Sequence, residues 1–162
     1  MMRENFVVAR QRIEIEMVDF VDLSWTPWRR IMLSARENIW CLVDAEDYAW
    51  LSEHIWNVSW GTACPWKKYA KRNEGPDRAT VRMHREILIK ADPRSERFMA
   101  SHPGDHINGN GLDNRRANLR WATRKQNAAN RFKRGDIPSL DTIVLQLLAE
   151  LGPRPELAQV PF

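Results

Sequence analysis

An aspartate directly beside a histidine, Asp105 and His106, is the first feature of this sequence that could do chemistry, and Asn127 follows in an arginine-rich segment. Carboxylate and amide oxygens are hard ligands that suit Mg²⁺ or Mn²⁺ and leave coordination positions for water and phosphate. A neutral histidine next to such an ion can take a proton from water, and arginine side chains suit phosphate oxygens. These residue types therefore predict metal-assisted hydrolysis of a phosphodiester bond.

The segment after this Asp-His pair predicts a hairpin with a long loop. Residues 108–111 (Asn-Gly-Asn-Gly) cannot continue a strand, because glycine and asparagine favour turns and positive φ. Residues 107–118 are therefore expected to form a compact loop whose ends lie close together. Residues 119–122 then form the returning strand.

A helix is expected to begin after Thr123. Thr123 and Gln126, three residues apart, form a capping box of the kind found at helix N-termini. Asn127 then lies in the first turn, on a face shared with Arg124, Asn130 and Arg131. A hairpin followed by this helix can bring the Asp-His pair and Asn127 together at one point.

The motifs in this stretch closely resemble those of the HNH endonuclease family, in the subgroup found in phage and mobile-element nucleases. The first motif, Asp-His, is matched by Asp105 and His106. The second motif, Asn-Leu, is matched by Asn118 and Leu119, and the third, an asparagine on the helix, by Asn127.

The resemblance implies a role for each matched residue. Asp105 and Asn127 would bind one divalent cation, Mg²⁺ or Mn²⁺. His106 would be the general base, and Asn118 would brace the loop that orients it. The resemblance therefore implies that the protein is a metal-dependent DNA endonuclease that leaves 5′-phosphate and 3′-hydroxyl ends.

The similarity to this family extends upstream, across roughly residues 38–90. Two segments look like those that precede the motif in relatives, one beginning at Trp40 and one at Met83. The second contains His84, which would brace the site, and Arg85, which recurs in relatives. His102 is close to the Asp-His pair in sequence and is a further candidate to reach the metal.

Charge is distributed unevenly along the chain. The net charge is −4 over residues 1–60, +11 over residues 61–135 and −3 over residues 136–162. The basic block coincides with the proposed site, so a polyanion such as duplex DNA is the expected partner, although charge alone is also compatible with a solvated basic face. The basic residues expected to hold the nucleic-acid backbone are Arg115, Arg116, Arg120, Arg124, Lys125 and Arg131.

We expect an α+β fold with three parts. An N-terminal extension spans residues 1–37 and includes an extended segment at residues 5–18. A nuclease domain spans residues 38–135, with short helices, a small antiparallel sheet and a ββα-metal core at residues 103–131. The predicted strands are residues 30–33, 39–43, 55–60, 66–72 and 79–82, and the predicted upstream helices are residues 44–54 and 83–90.

A C-terminal amphipathic helix is expected within residues 136–162. Ser139 can cap it, and it runs to about Leu151 with one broad apolar face. That face either packs on the same chain or docks on a second copy or on another protein. A homodimer formed in this way could cut both strands, whereas a monomer with one site would nick.

Seven of the eight tryptophans precede Lys67. We expect them to fill the core of a thin sheet. Trp60, Trp66 and Tyr69 are the exceptions left open, because lysines and arginines lie among them and aromatic rings in a basic surface can stack on bases.

Composition fits an ordinary globular chain. The 162 residues are 43% hydrophobic and 28% charged, enough for a core of useful size. The two cysteines, Cys41 and Cys64, form no CxxC pattern, which argues against a disulfide framework or a four-cysteine zinc site. The sequence has no apolar run of membrane-spanning length and no signal-peptide pattern near its start, so we expect a cytoplasmic protein with no membrane partner.

Two other functions are compatible with the sequence. One is a binding module, a DNA-binding or phage accessory protein with a catalytically silent HNH fold. The other is a nuclease that acts on RNA. The biological role, whether homing, phage packaging, restriction or defence, is open, as is the recognition sequence.

Overall fold

The computed structural model describes residues 21–131 and 136–155. The extended segment expected at residues 5–18 lies outside these ranges. Within them the chain is a mixed α+β structure, as predicted, with three small antiparallel sheets. The strands are β1 (Trp28–Ser34), β2 (Ile39–Asp44), β3 (Asn57–Trp60), β4 (Lys68–Glu74), β5 (Ala79–Arg82), β6 (Gly104–His106) and β7 (Leu119–Trp121). The helices are α1 (Ala45–Leu51), α2 (Met83–Ala91), α3 (Glu96–Ser101), α4 (Arg124–Arg131) and α5 (Leu140–Leu151).

Strands β1 and β2 form an antiparallel hairpin, which confirms the first predicted strand pair. Asn38 closes its turn with a φ of 51°, a left-handed conformation that asparagine tolerates. One face of β2 carries Trp40 and Leu42, and helix α5 packs on it through Ile143 and Val144. The apolar face of the C-terminal helix is thus buried on its own chain, which is the simpler of the two arrangements considered for it.

The other face of β2 belongs to a larger core. Cys41 and Val43 pack there with residues of the β3–β4–β5 sheet and with Met83, Ile87 and Leu88 of α2. The three-stranded sheet and helix α2 were both predicted. Since both cores share strand β2, the site is built on a single continuous scaffold.

The third sheet, β6 paired with β7, is the predicted hairpin with its long loop. The loop is fastened to the first sheet by the backbone of Leu42 in β2. Its N–H donates to the carbonyl of Leu112 at 2.8 Å, and its carbonyl accepts from the N–H of Asn114, also at 2.8 Å.

The scaffold differs from the expectations in three places. No helix was predicted within residues 93–104, but Ser95 accepts a hydrogen bond from the N–H of Phe98 and starts α3. The helix predicted at residues 44–54 is shorter, Ala45–Leu51, and the side chain of Asp44 does not cap it but accepts from the N–H of Arg116. The division between residues 37 and 38 falls in the β1–β2 turn, so β1 belongs with the central part of the chain.

None of the helices within residues 21–131 and 136–155 combines the length and the apolar character needed to cross a membrane. Cys41 and Cys64 are both buried and form no disulfide with each other.

Candidate active site

A cavity of about 490 Å³ lies between the β3–β4 hairpin, strand β6 and helix α4. Asp105, His106 and Asn127 all line it. The hairpin supplies the first two residues, and the capped helix that follows supplies the third. The elements predicted from the sequence therefore bring these three side chains to one cleft.

Helix α2 approaches strand β6 closely because residue 104 is glycine. A Cβ atom at Gly104 would lie 2.9 Å from Cδ2 of His84 and 3.0 Å from Leu88. This close approach places the His84 ring against that of His106, with ring centroids 4.7 Å apart. His84 lines the same cavity, and so does its neighbour Arg85.

The His106 imidazole is buried, with 5% of the residue exposed, and is held by Asn114. Its Nε2 lies 3.0 Å from Oδ1 of Asn114. An amide oxygen can only accept a hydrogen bond, so with Asn114 in this orientation Nε2 carries the proton. Nδ1 is then the nitrogen with the free lone pair, which is the form a general base requires.

Burial keeps both imidazoles neutral. Desolvation lowers the pKa of His106 from its ordinary value, although the hydrogen bond to Asn114 opposes the shift. Desolvation lowers the pKa of His84 further, and the neighbouring His106, Arg82 and Arg85 add to the effect. At neutral pH, His106 is therefore ready to accept a proton rather than already carrying one.

The Asp105 carboxylate is buried and held from two sides. Its Oδ2 accepts from Nε and Nη2 of Arg120 at 3.0 and 2.9 Å. Its Oδ1 accepts from Nδ2 of Asn130 at 3.2 Å. Asn130 also donates to the backbone carbonyl of His106, so it fastens helix α4 to the strand that carries the Asp-His pair.

The donor set fits a hard divalent cation. No group of three His, Cys, Asp or Glu side chains suited to a metal is found among the residues that the structure describes. The carboxylate and amide side chains among the residues that line the cavity are instead those of Asp105, Asn127 and Asn130. The buried Oδ1 of Asn130 has no hydrogen-bond partner in the described structure, which leaves an oxygen lone pair available. In proteins Mg²⁺ is usually bound by only a few protein oxygens, and water and phosphate oxygens complete its coordination shell.

Asn118 cross-links the two ends of the loop. Its Oδ1 accepts from the N–H of Asn108 at 2.9 Å, and its Nδ2 donates to the carbonyl of Asp113 at 2.9 Å. The residue is 5% exposed and lies away from the cavity lining. These contacts are those of a residue that fixes the loop behind His106.

Comparison with known proteins gives one result for this stretch. Residues 104–129 match the model of the HNH endonuclease family. Over this stretch the chain is similar to HNH endonucleases. No curated protein and no solved structure matches the chain.

Two side chains that hold the Asp-His pair in place were not predicted to do so. Asn130 lies one residue beyond the match and Asn114 lies within it, yet both were interpreted only as part of a polar loop or helix face. The signal that could have found Asn130 is its position three residues after Asn127 on the same helix face. Arg82 also lines the cavity and was not predicted to do so.

Most of the basic residues expected at the DNA backbone lie elsewhere. Arg131 lines the cavity. Arg115 pairs with the fully buried Asp113, and Arg116 pairs with the fully buried Asp47. Both guanidinium groups therefore neutralise buried carboxylates of the scaffold, and neither lines the cavity.

The other predicted contacts are divided between the site and its surroundings. Arg120 pairs with Asp105, whereas Arg124 and Lys125 are exposed on α4 outside the cavity lining. His102 does not reach the site, because its ring stacks on Phe98 at 4.1 Å.

Proposed function

We propose that this protein is a metal-dependent endonuclease that hydrolyses phosphodiester bonds in DNA and nicks one strand at each site. The observation that carries the proposal is that Asp105, a neutral His106 and Asn127 all line one cavity. The match of residues 104–129 to HNH endonucleases supports the same reaction class.

In this proposal Asp105 and Asn127 hold one divalent cation, Mg²⁺ or Mn²⁺. The bound cation supplies stabilisation of the negative charge that develops on the phosphate and on the leaving 3′ oxygen. Arg120 and Asn130 hold the Asp105 carboxylate in place for it.

His106 takes the proton from the attacking water through Nδ1, and Asn114 keeps the other ring nitrogen protonated. Asn118 fixes the loop behind the ring. Arg82, Arg85 and Arg131 line the cavity and bind phosphate oxygens. His106 must be neutral when the water attacks, because a protonated imidazole cannot accept the proton.

The test is conversion of supercoiled plasmid to relaxed circles with Mg²⁺ or Mn²⁺. We expect His106→Ala to slow nicking by at least about 100-fold, the usual contribution of a general base. His54→Ala is the matched control, since His54 is exposed and outside the cavity, and it should nick like the unsubstituted protein. Cutting that continues unchanged in chelator would contradict the roles of Asp105 and Asn127.

Two further measurements distinguish a DNA nuclease from a binding module and from an RNA nuclease. If the unsubstituted protein binds plasmid in a gel-shift assay but never nicks it, the chain is a binding module. If it degrades RNA faster than duplex DNA under the same conditions, the substrate class is different. As a metal readout independent of activity, Mn²⁺ should raise the unfolding temperature of the unsubstituted protein and not that of Asp105→Ala.

A further inference from the structure

Two tryptophans at the end of the β3–β4 hairpin are not core residues. Trp40 and Trp56 are 7% and 2% exposed, as expected for tryptophans that fill a small core, but Trp60 is 48% exposed and Trp66 40% exposed. Large exposed aromatic side chains in a basic region are typical of nucleic-acid contact surfaces.

Trp60 stands at the mouth of the candidate active site. It is the last residue of β3 and lines the same cavity as Asp105 and His106. Its cross-strand partner is Lys68, whose ammonium group lies 5.0 Å from the centre of the indole ring. Trp66 instead lines a separate cavity of about 520 Å³ on the other side of the glycine-rich loop.

The charge around Trp60 suits a polyanion. Residues 57–85, which contain the hairpin and the start of α2, carry seven lysine or arginine residues and two acidic residues. Arg82 and Arg85 line the same cavity as Trp60, so the phosphates of a strand bound there would meet positive charge. An indole with a cation beside it is suited to a base, which offers a flat π-face next to its phosphate.

We propose that Trp60 stacks on an unpaired base beside the scissile phosphate, so that the cleft binds strands with a locally unpaired nucleotide in preference to continuous duplex. In a continuous duplex both faces of each base are covered by neighbouring bases, so the indole has no base face to contact. The inference rests on the proposed function because it assigns the substrate of the same site.

The experiment measures binding without cleavage. Protein carrying His106→Ala is titrated in EDTA against three fluorescently labelled DNAs of equal length: a single strand, a continuous duplex and a duplex with one bulged nucleotide. Adding Trp60→Ala should weaken binding to the single strand and to the bulged duplex by about tenfold, the usual contribution of one stacked base. Binding to the continuous duplex should change by less than about twofold, and Trp60→Phe should retain most of the affinity.

Trp66→Ala is the matched control, because Trp66 is a similarly exposed tryptophan of the same hairpin outside the catalytic cavity. It should leave the preference for unpaired DNA intact. 2-Aminopurine placed at the bulge gives a second readout, since stacking on Trp60 quenches its fluorescence and Trp60→Ala should restore it. Circular dichroism melting of each variant establishes that the fold is kept.

Equal weakening of all three DNAs by Trp60→Ala, or equal effects of Trp60→Ala and Trp66→Ala, would overturn the proposal. If the protein is not a nuclease, plasmid nicking will be absent whichever DNA it prefers to bind. That outcome differs from a wrong role for Trp60. An active nuclease whose Trp60 variant binds all three DNAs normally would overturn only the stacking role.

Discussion

At the scale of single residues, the environment of His84 and His106 links catalysis to stability. Both imidazoles are buried, and burial lowers both pKa values below the ordinary 6.5. The unfolded chain therefore binds protons near pH 6.5 that the folded chain does not. Stability from these groups is complete above that pH and is lost as the pH falls below it.

We therefore expect the free energy of unfolding, measured by urea titration in metal-free buffer, to fall between pH 7.5 and pH 5.5. One buried histidine contributes a slope of at most about 1.4 kcal/mol per pH unit. His84→Gln should make the decline shallower by up to this amount, while His54→Gln, at an exposed position, should not. The same slope in all three proteins would mean that His84 is protonated without penalty in the folded state.

The residues that could be predicted are those whose chemistry is carried by type and spacing. Asp105, His106 and Asn127 lie in one cavity as the motif spacing suggested. The partners of these residues could not be predicted, because asparagines such as Asn114 are equally typical of turns. Likewise, a sequence cannot distinguish an arginine that meets a phosphate from one, such as Arg116, that neutralises a buried aspartate 69 residues away.

At the scale of elements, the start of helix α4 decides where Asn127 lies. Thr123 Oγ1 accepts from the N–H of Gln126 at 3.2 Å, and Gln126 Oε1 accepts from the N–H of Thr123 at 2.9 Å. This reciprocal capping box satisfies two backbone donors that the helix itself cannot. The first turn of α4, which carries Asn127, is held in shape by it.

We expect Thr123→Ala to lower the free energy of unfolding by about 1 kcal/mol, the usual cost of losing a cap, and also to reduce nicking. Ser139 caps α5 in the same way, by accepting from the N–H of Thr142. Ser139→Ala should cost a similar amount of stability in chemical denaturation and leave the nicking rate of the folded protein unchanged. Equal loss of nicking in both variants would show that α4 has no special relation to the site.

Elements with strong local signals were predictable, and those without were not. The apolar residues of β1 and β2, the Thr123 capping box and the apolar face of α5 each predicted the element that forms. Helix α3 was missed because none of its residues is buried, so it has no apolar periodicity to detect. Asp44 lies at the position of a helix cap, but its side chain accepts a hydrogen bond from the backbone N–H of Arg116, 72 residues away. No local sequence pattern encodes that contact.

At the scale of the whole molecule, the C-terminal helix closes the second core. Ile143 is 5% exposed and packs against strand β2, whereas Leu145 on the same helix is 55% exposed. The side of the helix that could have formed a dimer interface is thus largely used within the chain. The surface on which the apolar face of α5 packs could not be predicted from the helix alone, because amphipathicity does not specify a partner.

We expect Ile143→Ala to lower the free energy of unfolding by about 2–5 kcal/mol, and Leu145→Ala to change it by less than about 0.5 kcal/mol. The urea midpoint of the unsubstituted protein should not depend on protein concentration, because the contact is intramolecular. A midpoint that rises with concentration, together with equal effects of the two substitutions, would place the helix at an interface between copies.

The two backbone hydrogen bonds of Leu42 limit how short a fragment of the chain can be and still form the active site. The loop behind His106 is held partly by a strand more than 60 residues earlier in the chain. A peptide of residues 104–131 would therefore contain all the motif residues but would lack the strand that holds the loop in its conformation. Transplanting the motif into another protein would require transplanting the first hairpin with it.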